Sequence, residues 1–229
     1  MTSGQFLFAL WGTGEDLAHG LGAALAGVGA VDAVLNIADA DVADAMLRLT
    51  TFDAPVEAVV TVTLPGDEAA AGVARVLAAR ADRIAGWRVD VATPLPPKPT
   101  EVGERAEGLA NVAFLRRPAD LPYEQWLDRW RGHHTQVAID TQATFGYIQN
   151  RVVEPVTPDA PEIAAVVEEH FPIEALHDVH AFYGSGGDDA ELGCRVGRLM
   201  QSVATFGADR DIDVVPTSRY RLIRGRVGG

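Results

Sequence analysis

Cysteine occurs once in the 229 residues, at Cys194, so no intrachain disulfide can form. Its neighbours Leu192 and Val196 read as helix packing, and nothing nearby in sequence would depress its pKa enough to make a reactive thiol. Basic residues are scarce: 19 Lys and Arg stand against 32 Asp and Glu, a formal net charge of −13. That field repels phosphate backbones and anionic lipid, which argues against nucleic acid and membrane surfaces as partners. The local exception is Arg219, Arg221, Arg224 and Arg226, whose alternation suggests the outer face of a strand or a solvated tail. Long apolar runs are also missing. The longest, residues 17–38, is interrupted by His19, Asp32 and several glycines and is too broken to span a bilayer. Residues 1–8 have no basic n-region and no cleavage-like site, so no signal peptide is expected and a soluble cytoplasmic protein is. No Gly-x-Ser-x-Gly elbow occurs, and Gly184-Ser-Gly-Gly187 lacks the lysine and spacing of a phosphate loop. His177, Asp178 and His180 tempt a metal reading. On the strand expected at residues 177–183, however, positions three apart face opposite sides, so no metal is expected. No histidine stands out as a heme ligand, and no cofactor is predicted.

Hydrophobic residues make up 48% and charged residues 22%, values that imply a real core. One segment reads as a linker: residues 93–100 hold four prolines, which continue neither a helix nor a central strand. The boundary falls near residues 93–108. The first half reads as a strand at 5–11, a helix at 15–27, strands at 31–36 and 56–64, an alanine-rich helix at 67–83 and a strand at 87–93. The second half reads as a strand at 111–116 and a helix at 123–141, with Asp120 as its cap and Pro122 in its first turn. A strand at 147–153, an irregular insert at 154–161, the strand at 177–183, a helix at 188–202 and short strands at 211–215 and 218–223 follow. Each half is then β-α-β-β-α-β, the ferredoxin-like order. A sheet covered by helices on one face needs cover on the other, and two such sheets can cover one another. The expected fold is therefore α+β: two tandem ferredoxin-like βαββαβ repeats forming a pseudo-dimeric α/β barrel. Residues 1–95 form the N-terminal repeat and 108–229 the C-terminal one. Two unrelated small domains are the alternative.

Informative residues are densest between Arg116 and Val153. At about 100° per residue, Trp126, Trp130, His134, Val137 and Thr141 share one helix face, with Leu127 and His133 at its borders. A helix covering a sheet turns that face inward, which sets an imidazole beside two indoles. Burial lowers a histidine's pKa and a nearby carboxylate raises it. A group exchanging protons between pH 5 and 9 would suit acid–base work, and one titrating far outside would weaken that role. A lone histidine on an apolar face is ordinarily a hydrogen-bonded core residue, and paired tryptophans are ordinarily core. Arg117, Gln149, Asn150 and His180 are further polar candidates for a shared cavity. Strand alternation separates Tyr147, Gln149 and Arg151 from Ile148 and Asn150. Turning Ile148 toward the helices would turn Tyr147 and Gln149 toward the barrel interior. His134 would then reach an interior cavity only from near a helix end or through a gap between strands.

The sequence Phe114-Leu-Arg-Arg117-Pro118, then Trp126, Trp130 and His134, then Tyr147-Ile-Gln-Asn-Arg-Val-Val153, resembles the EthD family. Residues 211–222 resemble the closing strands of its longer members, so the likeness spans residues 111–223. A small residue and a proline commonly follow the family's histidine, where this chain has Thr135-Gln136. The resemblance implies the dimeric α/β-barrel superfamily, with the first half a degenerate partner of the second. It also implies a cofactor-independent enzyme acting on a small hydrophobic or aromatic metabolite. In that reading His134 is the general acid or base, Trp126 and Trp130 form an apolar wall, Arg117 holds an anionic substituent, and Tyr147 and Gln149 bind substrate. A non-catalytic small-molecule binder using the same cavity is the alternative, and a module with no pocket is a third. The tandem repeat removes the need for a homodimer without forbidding one.

Overall fold

The computed structural model describes residues 3–14 and 16–225. The first half supplies β1 (Gly4–Thr13), β2 (Asp32–Ile37), β3 (Ala58–Leu64) and β4 (Ala81–Leu95). The second supplies β5 (Leu109–Leu115), β6 (Gly146–Pro155), β7 (Ala165–Phe171) and β8 (Ile212–Ile223). All eight close into one antiparallel barrel in the order β1-β3-β2-β8-β5-β7-β6-β4. The first four strands run in the spatial order β4-β1-β3-β2 and the last four in the order β8-β5-β7-β6. The β2–β8 and β4–β6 ladders are the two seams. Closure leaves no sheet edge to template aggregation.

Alternation along each strand sends side chains to two different places. Leu7, Ala9 and Trp11 of β1 point into the lumen, where they meet Trp87, Phe114, Val166 and Val215. Phe6, Phe8 and Leu10 point outward and pack beneath α1 (Leu21–Gly27) and α2 (Ala70–Ala78). On the second half the outward residues Ala113, Leu115, Val167 and Val214 lie beneath a thicker helical layer. That layer holds α3 (Tyr123–Leu127), a π-helical stretch (Asp128–His134), α4 (Thr135–Thr141), α5 (Val179–Tyr183) and α6 (Asp189–Phe206).

Several elements differ from the sequence reading. The strand expected at 177–183 lies earlier, at Ala165–Phe171, because Glu168, Glu169 and His170 obscure its apolar character. Residues 179–183 instead form α5, whose start is capped by the Asp178 carboxylate accepting from His180 N–H at 2.8 Å. The strand argument against a shared metal therefore loses its premise. Among the described residues no cluster of three metal-ligating side chains occurs. The helix expected at 15–27 is helical only from Leu21, and that expected at 67–83 ends at Ala78, where β4 soon begins. β4 then runs through Pro94 to Leu95, within the segment read as a linker. Pro122, not Asp120, occupies the N-cap of α3, with no side-chain cap. The two closing strands are one, β8, carrying Pro216 internally. Val214 N–H bonds Leu49 on the β2 side of β8, so Pro216, two residues on, turns its missing donor to the same side. The β2 ladder has already stopped there, at Ser218 opposite Ile37. Arg219 and Arg221 face the lumen rather than solvent, Arg226 lies outside the described residues, and no described helix is long and apolar enough to cross a membrane.

Candidate functional site

A cavity of about 250 Å³ opens between the outer face of the second-half sheet and its helices. It lies outside the barrel, so the cavity that His134 borders is a helix-side one and not the interior hollow. Its floor is Ala113, Leu115, Tyr147, Val167 and Val214, and its roof includes Trp130, Leu199, Val203 and Phe206. The first half reaches across to close one side. Leu49, in the loop between β2 and β3, pairs as an isolated bridge with Val214, and both Leu47 and Leu49 line the cavity. The walls are mainly apolar, so the few polar groups among them carry the specificity.

His134 ends the π-helical stretch and lines this cavity. Its ring packs against Phe206, centroids 4.7 Å apart, and Nδ1 shares a hydrogen bond with Ser202 Oγ at 2.9 Å. Burial among apolar groups lowers its pKa to about 4. The imidazole is thus neutral at neutral pH, and it titrates below the window set for an efficient base. The π turns also move the buried stripe. Trp126, Trp130, His134 and Ala138 are buried, four residues apart, so Ala138 takes the place expected for Val137. Wider turns than 3.6 residues account for that spacing.

Glu169, which the sequence reading did not single out, is a further titratable group lining the cavity. Burial without a cationic partner raises its pKa to about 7. With its amide turned to satisfy both ends, Gln142 donates to Glu169 Oε1 at 3.2 Å and to Ala138 O at 3.3 Å. Register places Tyr147 directly across the ladder from Glu169. Burial and the nearby Glu169 charge raise the pKa values of both Tyr147 and Tyr183, so both phenols stay protonated. Two buried polar atoms in the lining have no hydrogen-bond partner among the described residues: Asn111 Oδ1 and Trp130 Nε1. Glu169 and Asn111 were hidden because β7 was misplaced and because a lone asparagine in an apolar strand gives no periodic signal.

The remaining candidates separate. Trp130 lines the cavity, whereas Trp126 lies fully buried behind it, 4.9 Å from the Trp130 ring. Tyr147 faces the helices and the cavity, not the barrel interior, because Gly146, Ile148 and Asn150 take the lumenal positions of β6. Gln149 also faces the helices, but its amide donates to Thr135 Oγ1 at 2.7 Å, outside the cavity lining. Arg117 spends its guanidinium on the carbonyls of Pro118 and Leu121. His180 bonds Ser185 Oγ at 2.7 Å, away from the cavity, and His133 is exposed.

No protein-family model matches this chain, and no curated protein matches it. Solved structures do. One described as an anthrone oxidase-like protein aligns over 100% of this chain and 97% of its own, at 10% identity and a TM-score of 0.56. A candidate monooxygenase from Lactobacillus acidophilus NCFM aligns over 97% of this chain and 98% of its own, at 10% identity and a TM-score of 0.51. At such identity the likeness is one of architecture, and this chain shares an α+β barrel fold with both.

Proposed function

We propose that the chain is an enzyme that moves a proton on a small, largely apolar metabolite held in the helix-side cavity. The observation that carries this is a carboxyl, Glu169, set without a cationic partner in a mainly apolar cavity, where burial raises its pKa to about 7. A carboxyl balanced near the working pH can both take and return a proton. Glu169 is the acid–base group in this reading, and neutral His134, held by Ser202, is a hydrogen-bonding partner for the substrate. Trp130 Nε1 seeks an acceptor and Asn111 Oδ1 seeks a donor, which suits a ligand bearing a carbonyl and a hydroxyl on an apolar frame. The EthD resemblance and the anthrone oxidase-like neighbour support an aromatic or polyketide-like frame. The two halves are read as tandem ferredoxin-like repeats, residues 1–95 and 108–229, the first a degenerate partner whose outer face is packed directly by Leu21, Leu25, Val73 and Leu77.

The test is deuterium exchange. Hydroxylated aromatic ketones are screened for thermal stabilisation, and exchange beside the carbonyl of a bound compound is followed in D₂O by NMR. Wild-type protein should accelerate exchange, and Glu169→Gln should lose roughly a hundredfold or more of that rate while still binding. Binding with no acceleration would instead support the non-catalytic carrier, a reading favoured by the dominance of apolar side chains in the lining.

A further inference from the structure

The barrel lumen is divided into two unlike ends. One is packed with Trp11, Trp87, Phe114 and their apolar neighbours. The other encloses a second cavity of about 240 Å³, on the opposite side of the sheet from the site above. Its walls carry Gln5, Thr61, Thr63, Asn150, Glu168 and Arg219, and it reaches solvent near the exposed Thr93. Asn150 is only 3% exposed; its Nδ2 donates to Val166 O at 3.1 Å, and its Oδ1 has no partner among the described residues. Nε of Arg221, also in the lining, is a buried donor without a partner. An unmet acceptor and an unmet donor thus belong to residues of one hollow, beside threonine hydroxyls that can play either part.

The charges there are already matched. Arg219 Nε donates to Glu168 Oε1 at 2.7 Å, and Arg221 Nη2 donates to Asp32 Oδ2 at 2.7 Å. Glu168 also binds His170 Nε2 at 2.6 Å and accepts from Asn36 Nδ2 at 3.0 Å. Paired guanidinium groups leave no net cation for an anion, and a lumen of apolar side chains like the other end would avoid the desolvation cost of buried ion pairs. Val34, Val91 and Ile148 interrupt the polar wall with apolar patches. Dispersed donors and acceptors, neutral overall, with apolar patches between them, suit a compact polyhydroxylated ring.

We propose that this end of the lumen is a second ligand site, for an uncharged polyol of monosaccharide or cyclitol type. It is independent of the chemistry assigned to Glu169. The test is amide NMR of the full chain titrated with D-glucose, D-ribose and myo-inositol, with inorganic phosphate and benzoate as contrasts. At least one polyol should shift Gln5, Thr61, Thr63 and Asn150 while leaving the amides around Leu199 and Phe206 in place. Thr61→Val, which keeps shape and β preference, should weaken that binding roughly threefold to tenfold. Asn150→Leu should do the same, and the Thr61 variant decides alone if that one fails to fold. Silence at these amides with every polyol, a larger response to phosphate or benzoate, or binding unchanged in Thr61→Val would each overturn the proposal.

Discussion

Glu168 and Glu169 are neighbours in the chain and opposites in chemistry. Strand alternation sends the first into the lumen and the second to the helix side. Burial would push Glu168 up, but the Arg219 charge, His170 and Asn36 outweigh it and hold the carboxyl at about 2. Burial raises Glu169, which has no cationic partner among the described residues. Because the folded pKa of Glu169 is above its usual 4.5, the native state holds a proton that the unfolded chain has released between about 4.5 and 7. Stability should therefore fall as pH rises through that window. Glu169→Gln removes the penalty and should be more stable than wild type by on the order of 1–3 kcal/mol at alkaline pH, with little difference in acid. Urea unfolding at both pH extremes reads this, and an equal difference at the two would contradict it. His134 runs the other way. Its folded pKa of about 4 is below the usual 6.5, so stability is lost as pH falls through that interval. Its ring proton resonance should titrate below pH 5, and a midpoint near the ordinary value would mean the ring is solvated. Glu168→Gln leaves Arg219 buried and unpaired, and should cost about 3–5 kcal/mol in chemical denaturation.

Among the elements, α6 and the π-helical stretch together build the cavity roof. The π turns bring Trp130 and His134 to the cavity from one helical run. α6 ends at Gly207, where φ is 87° and two backbone N–H groups, those of Gly207 and Ala208, bond Val203 O. Phe206 and Ala208 on either side line the cavity, so the cap sets its wall. A Cβ at Gly207 would sit 2.3 Å from Pro118 Cγ. Gly207→Ala should thus cost about 2 kcal/mol or more and weaken ligand binding too. Full thermal stability in that variant would show that the turn adapts freely.

For the whole molecule, closure makes each half depend on the other. Residues 108–229 expressed alone would bare the β6 and β8 edges and expose Val112, Phe114, Val166 and Val215. That fragment should self-associate or fail to fold, as light scattering after gel filtration would report. A monodisperse, cooperatively folding monomer would contradict the account. The cavity would also lose Leu47 and Leu49, which come from the other half.

The sequence by itself determined the α+β class, most of the strands, and the inward stripe of Trp126, Trp130 and His134. These follow from local periodicity, which a single chain displays directly. It did not reveal β7, because the paired glutamates and His170 there answer to partners on β2, β8 and α4–β6 connections far along the chain. The direction of Tyr147, the burial of Arg219 and the side of the sheet on which the cavity opens were likewise decided only by tertiary structure. Alternation tells which residues share a face of a strand. Only closure of the barrel and the docking of helices decide which face becomes lumen and which becomes site.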